Sequence, residues 1–408
     1  MIPLLTLLLQ STIYVPDDEP TIQSALYSAQ SGDTVIVRAG TWPESGIQFL
    51  GKAVTVMSED GPTSTIVDGG ASDTVFNFVN GETAASVLDG FTITNGSRWD
   101  GGGINIEEDV NLVPSSPTIR NCIITGNVGV GGAGGVSMRG GSTALFENVL
   151  IQGNETTYYH GGGMNIWECF PVLVNVTVRD NEAAGNGGGI KVSTGPSSIT
   201  ATNCIVYGNY PGNVTFGADT TLDFTYSCVQ NASTYAWFGT GCIDQDPLIV
   251  NGSWGDVYLS QTAAGQMVDS PCVDAGDPTI AAFGTTRTDH LTDTGVVDMG
   301  FHLKDSQPTL EITNLVAGQT ANFNLSNCSP GGAAVLAYSL RGGGPIWTPF
   351  GDVFLTPPYT KFALTVDSTG RASMGANVPA SAAGMSVWFH AGDLTLGALT
   401  NHLAMVIG

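Results

Sequence analysis

The sequence predicts an all-β protein: a right-handed parallel β-helix of about 27 residues per coil, followed by a small β-sandwich. Three observations support this prediction. An asparagine-containing motif recurs about every 27 residues, a glycine-rich motif recurs with the same period, and both repeats have ended by residue 309. The composition agrees, because 55 glycines and only 12% charged residues suit short strands joined by many turns.

The asparagine motif begins and ends with asparagine and carries β-branched or aliphatic residues between. Its copies are residues 121–127, 148–154, 175–181 and 203–209, and residues 89–96 are a degenerate earlier copy. Stacked coils bring equivalent residues together, so the side-chain amides can hydrogen-bond from coil to coil. The bends between strands require a left-handed backbone, which asparagine tolerates. The predicted ladders are Asn121, Asn148, Asn175 and Asn203 at the first position, and Asn127, Asn154, Asn181 and Asn209 at the last.

The glycine motif occupies residues 101–106, 134–138, 161–166 and 187–192 and predicts a second short strand in each coil. Burying an aliphatic side chain contributes about 1.5–3 kcal/mol, while ordering a residue costs about 1–2 kcal/mol, so several stacked coils are needed for stability. The crossover rule for parallel strands predicts the right hand. The predicted inward columns are Cys122, Val149, Val176 and Cys204, and Ile124, Ile151, Val178 and Val206.

Three segments follow from the extent of the repeat. Residues 14–305 form the β-helix, and an amphipathic helix within residues 20–29 caps its first coil. Residues 306–408 alternate apolar and polar residues between Gly and Pro turns, which is typical of a β-sandwich. Residues 1–13 leave two interpretations open, a secretory signal peptide or the first apolar strand.

The net charge of the chain disfavours polyanionic partners. Thirty-six acidic and 12 basic residues give a net charge of −24, so nucleic acid and anionic membrane surfaces are disfavoured because both need a basic footprint. No apolar run is long enough for a transmembrane helix. The seven cysteines are too sparse for a disulfide scaffold; Cys228 and Cys242 are the favoured pair, and buried free thiols are the alternative.

Residues 15–44, which include Thr21-Ile22-Gln23, Gly32-Asp33-Thr34-Val35 and Gly40-Thr41-Trp42, resemble the opening of pectin-lyase-like β-helix proteins. The glycine and asparagine repeats resemble the polymorphic outer-membrane type of that superfamily. Residues 246–300, with Ser270-Pro271-Cys272-Val273-Asp274, resemble the choice-of-anchor segment that closes many secreted bacterial β-helix proteins. The resemblance implies the fold and a secreted or cell-surface location; the superfamily contains enzymes and non-catalytic proteins alike.

The strands after the glycine motif supply a candidate glycan-binding surface. Their outward positions, with the adjacent loops, combine amides, a few charges and aromatic rings, which is what a neutral sugar needs. An ordinary solvated sheet face is the alternative. The candidate residues are Trp99, Asn105, Arg139, His160, Asn165, Trp167 and Lys191.

Acid clusters suggest Ca²⁺ as a cofactor, and the candidate ligands are Glu107, Glu108 and Asp109. No EF-hand or nonapeptide calcium repeat occurs, and loop turns also explain such clusters. Known catalytic motifs of hydrolases and esterases are absent from the sequence. An enzyme on this fold would need Lys191, Arg139, His160 and an acid to converge in one cleft.

Three classes of function remain. The favoured class is a non-catalytic extracellular or cell-surface protein, an adhesin or glycan-binding display scaffold. The second is a carbohydrate-active enzyme, namely a polysaccharide lyase, hydrolase or epimerase. The third is a self-assembling extracellular structural or filament subunit.

Overall fold

The computed structural model describes residues 11–408 except 194, 282–283, 292, 294, 304–307, 327, 329–331, 349–350, 368–370, 396–397 and 401. The chain divides into two compact units, Met1–Lys304 and Asp305–Gly408. In the first, parallel strands stack coil upon coil; in the second, all sheets are antiparallel. The predicted β-helix followed by a β-sandwich is therefore confirmed.

Within the described residues, each full coil contributes one strand to each of three long parallel sheets, and four coils add a strand to a short fourth sheet. Sheet 1 contains Thr12–Val15, Thr34–Val37, Thr55–Ser58, Val87–Asp89, Thr118–Arg120, Leu145–Glu147, Val172–Val174, Ser197–Thr202 and Thr220–Thr225. Sheet 2 contains Gly40–Trp42, Thr65–Asp68, Thr92–Thr94, Ile123–Thr125, Leu150–Gln152, Thr177–Arg179, Ile205–Tyr207 and Cys228–Val229. Sheet 3 contains Ile47–Gln48, Phe76–Phe78, Ile104–Ile106, Val136–Arg139, Met164–Trp167, Ile190–Val192 and Val214–Phe216. The short sheet contains Ser97–Arg98, Val128–Gly129, Glu155–Thr156 and Glu182–Ala183.

The register of the strands follows the sequence period. Ile124 pairs with Ile151, Ile151 with Val178, and Val178 with Val206, in steps of 27, 27 and 28 residues. All eight residues of the two predicted inward columns are buried in one continuous core. Each coil closes its hydrophobic surface only against its neighbours, which is why the repeat must be sustained.

The helix Ile22–Ser28 covers the first coil. Thr21 is its N-cap and forms a capping box with Ser24, and the carboxylate of Glu44 accepts hydrogen bonds from the first two backbone N–H groups of the helix. Ile22 and Leu26 are buried against the core. Of residues 1–13, residues 1–10 lie outside the described part of the chain, and Thr12 begins the first strand of sheet 1.

The second asparagine ladder is continuous. The side-chain oxygen of Asn154 accepts from Nδ2 of Asn127 at 3.0 Å, that of Asn181 accepts from Asn154 at 3.0 Å, and that of Asn209 accepts from Asn181 at 2.9 Å. Each amide also donates to a backbone carbonyl of the preceding coil, as Asn154 does to Ile124 at 2.9 Å. All four side chains are buried, so the ladder satisfies backbone groups inside the core.

The first ladder is shared with a distant segment. All four asparagines adopt a left-handed backbone, as the bend requires. Asn148 donates to Asn121 at 3.0 Å and Asn203 donates to Asn175 at 3.4 Å. Between these pairs, Nδ2 of Asn175 donates to backbone carbonyls of residues 298 and 300 instead. The amides therefore serve both coil stacking and the docking of another part of the chain.

That part is the closing segment, residues 246–303, which includes the hairpin Ile249–Gly252 and Gly255–Leu259 and the 3₁₀ turn Thr262–Ala264. It packs on the outer face of sheet 2, where Ile123 and Leu150 form a small core with Tyr258, Phe301 and Leu303. Backbone hydrogen bonds from Phe301 to Thr177 Oγ1 and from His302 to Asn148 Oδ1 fix the docking. Apolar residues on the outward side of sheet 2 are thereby removed from water.

The second unit contains two antiparallel sheets that share a core around Phe323, Leu336 and Phe389. Along with these sheets, its described residues form a separate hairpin and one 3₁₀ turn, Ala380–Ala382. The first sheet contains Thr309–Thr313, Thr320–Ser326 and Ala372–Asn377. The second contains Ala333–Ser339, Tyr359–Thr365, Ser386–Asp393, Ala398–Leu399 and Leu403–Val406. The hairpin is Pro345–Thr348 with Gly351–Phe354.

All seven cysteines are free thiols in this structure, so the favoured disulfide between Cys228 and Cys242 is not formed. Ile243 pairs with Cys228, so Cys242 faces the opposite side of the backbone. Cys242 packs against the β-helix core, whereas Cys228 packs under the closing segment. Proximity in sequence did not reveal that the two side chains lie on opposite sides.

Candidate functional site

The outward face of sheet 3 carries a column of polar residues. Strand register places Asn77, Asn105, Ser137, Asn165 and Lys191 in line, one residue per coil. Neighbouring strands are about 4.8 Å apart, so the column is a continuous polar strip. Asn77, Asn105 and Ser137 are buried, whereas Asn165 and Lys191 are half-buried. The side chains of the strip are therefore more buried toward its N-terminal end.

Arg139 links two carboxylates beside this strip. Its guanidinium lies 2.7 Å from Oε1 of Glu107 and 3.6 Å from Oδ2 of Asp100. The hydrogen bond to Glu107 and the nearby negative charges raise the pKa of Arg139 although burial, the largest single effect, opposes them. Arg139 therefore stays protonated, and its positive charge is already paired with the carboxylates of Glu107 and Asp100.

Asn105 completes this network and has one unused hydrogen-bonding group. Its Nδ2 donates to Oε1 of Glu107 at 2.8 Å, which fixes the orientation of the amide. Its Oδ1 is buried without a hydrogen-bond partner, and the residue is only 5% exposed. A buried acceptor without a donor costs about 1–3 kcal/mol. Such a group is informative because most buried polar atoms are paired.

Aromatic rings form a cluster at the loop edge of the same sheet. Trp99 contacts Tyr159 edge-on with ring centroids 6.4 Å apart, and Tyr159 contacts Tyr158 at 5.1 Å and His160 at 6.1 Å. Trp99 and Tyr158 are 56% and 69% exposed. The indole of Trp99 lies over Gly131, where a Cβ would approach it to 2.3 Å. We call Trp99, Tyr158, Tyr159 and His160 the aromatic cluster.

Trp167 lies at the other end of its strand. It is in register with Arg139 and is 51% exposed. The strand Met164–Trp167 separates it from the loop that contains His160. The structure thus places Trp167 and the aromatic cluster at opposite edges of the polar strip, so the predicted aromatic residues border the surface and do not form one platform.

His160 and Lys191 form a second group of titratable residues. Burial lowers the pKa of Lys191. Burial also lowers the pKa of His160, and the positive charge of Lys191 makes a smaller contribution in the same direction. Nδ1 of His160 accepts a hydrogen bond from the backbone of Asn186 at 2.8 Å. The strand of Lys191 is two coils, about 10 Å, from that of Arg139. The bases therefore occupy one face as two separate groups.

The acids predicted to bind calcium lie in different surroundings within the described chain. Glu108 lies against Gly140, and its Oε2 is buried without a hydrogen-bond partner. Glu107 is bound to Arg139, and Asp109 accepts hydrogen bonds from the backbone of Asn111 and Val113 in its own loop. These hydrogen bonds lower the pKa of Asp109. The three acids do not share a common centre.

Asp274, Asp293 and Asp298 of the closing segment bring carboxylate oxygens within 4.8 Å of one another. Two of the three carboxylates already accept hydrogen bonds: Asp298 accepts from Gln261, Thr286 and the backbone of Asp274, and Asp293 accepts from the backbone of Asp298. The hydrogen bonds of Asp293 and Asp298 therefore connect parts of the closing segment to one another.

Two residues that matter to the surface were missed by the sequence analysis. Asn77 belongs to the polar strip, and the alternation in Phe76-Asn77-Phe78 matches Ile104-Asn105-Ile106, so strand alignment alone could have found it. Gly131 seats Trp99, but nothing in the sequence reports that contact, since it depends on how two loops fold.

Comparison with known families agrees with the fold. Residues 69–235 match the family model described as "Right handed beta helix region". The matched range spans the coils that build the central part of the polar strip. No curated protein matches the chain. None of the helices in the described ranges has the length and apolar character needed to cross a bilayer.

Proposed function

We propose that this protein is a non-catalytic extracellular β-helix, secreted or displayed at the cell surface, that binds neutral glycan chains along the outward face of sheet 3. The observation that carries the proposal is the polar strip bordered on one side by the aromatic cluster and on the other by Trp167. A sugar chain presents hydroxyl groups and apolar C–H faces, and the two kinds of surface match these features.

The hydrogen-bonding groups favour ligands that donate. Oδ1 of Asn105 accepts no hydrogen bond. The hydrogen bond from Nδ2 to Glu107 fixes the amide, so the oxygen cannot turn toward a donor elsewhere. Because this oxygen is buried, the side chains that cover it would have to move slightly before a sugar hydroxyl could reach it. A hydroxyl bound there would remove the free-energy cost of the unpaired acceptor. The half-buried amide of Asn165, two coils of chain further along the strip from Asn105, extends the same chemistry.

The charges favour a neutral chain over a polyuronate. Arg139 is already paired with Glu107 and Asp100, which leaves Lys191 as the other base of the strip. The whole chain carries a net charge of −24, which repels polyanions at long range. A neutral polysaccharide avoids both costs.

The arrangement of acids supports a binding role over hydrolysis. A glycosidase places two carboxyl groups on either side of the bond that it cleaves, about 5–9.5 Å apart. Glu107 and Asp100 instead converge on one guanidinium. Arg139 therefore occupies the space in which a glycosidic bond would lie between these two acids.

The test is retention on immobilised neutral polysaccharides and on a glycan array. We expect Trp99→Ala and Trp167→Ala each to reduce retention, because each removes an exposed ring that borders the strip. The matched control is Trp347→Ala, which removes a 78% exposed indole from the second unit and should leave retention unchanged. Equal retention of all four proteins would contradict the proposal.

Catalysis is tested in parallel on the same polysaccharides. Lyase activity is followed by the absorbance of unsaturated products and hydrolase activity by new reducing ends. We expect neither signal from the purified protein. A signal that disappears in Arg139→Ala or Lys191→Ala would replace the binding proposal with an enzymatic one.

A further inference from the structure

The cysteines of the last coil and of the closing segment meet beneath the surface. Cys228 is the last residue of an outward column of sheet 2, one step after Ile205. Cys272 lies in the closing segment, where its carbonyl accepts a hydrogen bond from the backbone of Met299 at 2.9 Å. Both side chains are fully buried in one small core formed by Ile205, Cys228, Leu259, Cys272 and Met299.

The two thiols lie close together in this core. Cys228 Sγ donates to the carbonyl of Gln245 at 3.1 Å, which leaves its sulfur lone pairs available as acceptors. The Cys272 thiol is hydrogen-bonded to Cys228, and this bond together with burial raises the pKa of Cys272 well above its ordinary value. The other side chains of this core, Ile205, Leu259 and Met299, are apolar, and Tyr207 and Ser270 lie nearby. The Ser270 side chain also hydrogen-bonds to the Cys272 thiol, so Cys228 and Ser270 are its two side-chain hydrogen-bond partners here.

We propose that Cys228 and Cys272 are a disulfide site that covalently fastens the closing segment to the last coil of the β-helix. The pair is separated by 44 residues of sequence, so the bond would close a long loop and restrict the unfolded chain strongly. It would hold in place the segment that covers the apolar outer side of sheet 2.

The chemistry is thiol–disulfide exchange with a low-molecular-weight or protein disulfide such as oxidised glutathione. The thiolate of one cysteine attacks the oxidant, forms a mixed disulfide and releases one reduced thiol. The second protein thiolate attacks the mixed disulfide at the protein sulfur, which forms the Cys228–Cys272 bond and releases a second reduced thiol. Two protein thiols lose two protons and two electrons, and the oxidant gains both.

The folded structure indicates when this exchange takes place. Both thiols are inaccessible and Cys272 stays protonated once the closing segment has docked, so neither reacts readily in the native state. The exchange therefore belongs to folding, when the segment first approaches the coil. The native contact then selects this pair among the seven cysteines.

The test is refolding of the full chain in a glutathione buffer rich in the oxidised form, followed by acid quenching, denaturation, alkylation and mass spectrometry. We expect five alkylated thiols and a peptide that joins Cys228 to Cys272. Cys228→Ser and Cys272→Ser should each give six alkylated thiols. The matched control Cys122→Ser removes another buried thiol and should give four, with the cross-link retained.

The wild-type result alone decides the proposal, whether or not the serine variants fold. Seven alkylated thiols after refolding to the native state, or a cross-link between a different pair, would overturn it. Reduction of the oxidised protein with dithiothreitol should lower its thermal unfolding midpoint, and an unchanged midpoint would remove the proposed fastening role.

Discussion

Gly163 faces the amide of Asn181 so closely that a methyl group on Gly163 would lie 3.0 Å from Nδ2 of Asn181. The same relationship recurs along the coils: the distances are 3.0 Å for Gly103 with Asn127, 3.2 Å for Gly135 with Asn154 and 2.8 Å for Gly189 with Asn209. The glycine repeat and the asparagine repeat are therefore one structural device. The glycine column leaves the space in which the buried amide ladder runs.

Gly163→Ala should destabilise the β-helix by about 1–3 kcal/mol, because the new Cβ would lie 2.6 Å from the carbonyl of Gly189, which belongs to the backbone and cannot move alone. The measurement is the urea midpoint of the β-helix transition. Gly344→Ala is the control, since its Cβ would meet only the Thr356 hydroxyl at 3.3 Å. Equal midpoints for the two variants would show that the glycine column is not required for packing.

Asn154→Ala should cost roughly 2–5 kcal/mol, as several buried groups lose their partners together. Nδ2 of Asn127 and the backbone N–H of Asn127 both donate to Asn154 Oδ1, and Ile124 accepts from its amide. Urea unfolding measures the loss. The exposed Asn251→Ala, which removes a hydrogen bond to Asp256, should change stability by less than about 0.5 kcal/mol. A small loss for Asn154→Ala would mean that water replaces the ladder.

The sequence predicted the coils well because their information is local and repeated. Equivalent residues 27 apart identify the strands, the inward columns and both asparagine positions. What distinguishes the two ladders is not local: Asn148 and Asn175 bind residues 298–302, more than 120 positions away, and their motifs do not differ from the others in any way that signals it. The same limit applies to the cysteines, since Cys242 is nearer in sequence to Cys228 than Cys272 is.

The candidate surface shows a similar division. Strand alternation placed Asn105, Asn165 and Lys191 in one column, and the register agrees. The contacts between side chains could not be predicted, because the ion pair of Arg139 with Glu107 depends on rotamers and the position of Trp99 depends on loop conformation. Residue type and spacing predict a face; they do not predict which groups on it remain unpaired.

The closing segment should become less stable as the pH rises above about 4. Burial, with a further contribution from the carboxylate of Asp293, raises the pKa of Asp298 above its ordinary value of 3.8. The folded state therefore binds this proton more tightly than the unfolded state, so the stabilisation is complete below the unfolded pKa and is lost as the pH rises through the folded pKa.

Comparison of Asp298→Asn with the wild type isolates this effect from other titrating groups. The asparagine cannot ionise and keeps an oxygen for the backbone N–H of Asp274, so the variant should lose less stability between pH 4 and pH 7. Hydrogen exchange of residues 256–259 across this pH range is the measurement. Asp256→Asn, at an exposed carboxylate, is the control and should follow the wild type. Parallel pH profiles for Asp298→Asn and the wild type would assign the pH dependence to other groups.

Gly131→Ala should weaken glycan binding about threefold to tenfold without removing any ligand-contacting group. Its Cβ would lie 2.3 Å from the indole of Trp99, so the ring must leave the position that it holds beside Tyr159. Affinity for a retained polysaccharide is measured for the wild type, Gly131→Ala, Trp99→Ala and the double variant. If Gly131 acts through the ring, the alanine has no further effect once Trp99 is gone, and the two changes are non-additive. Additive losses would show that Gly131→Ala perturbs the loop backbone, and the binding surface would then depend on residues 130–134 themselves and not on where they place Trp99.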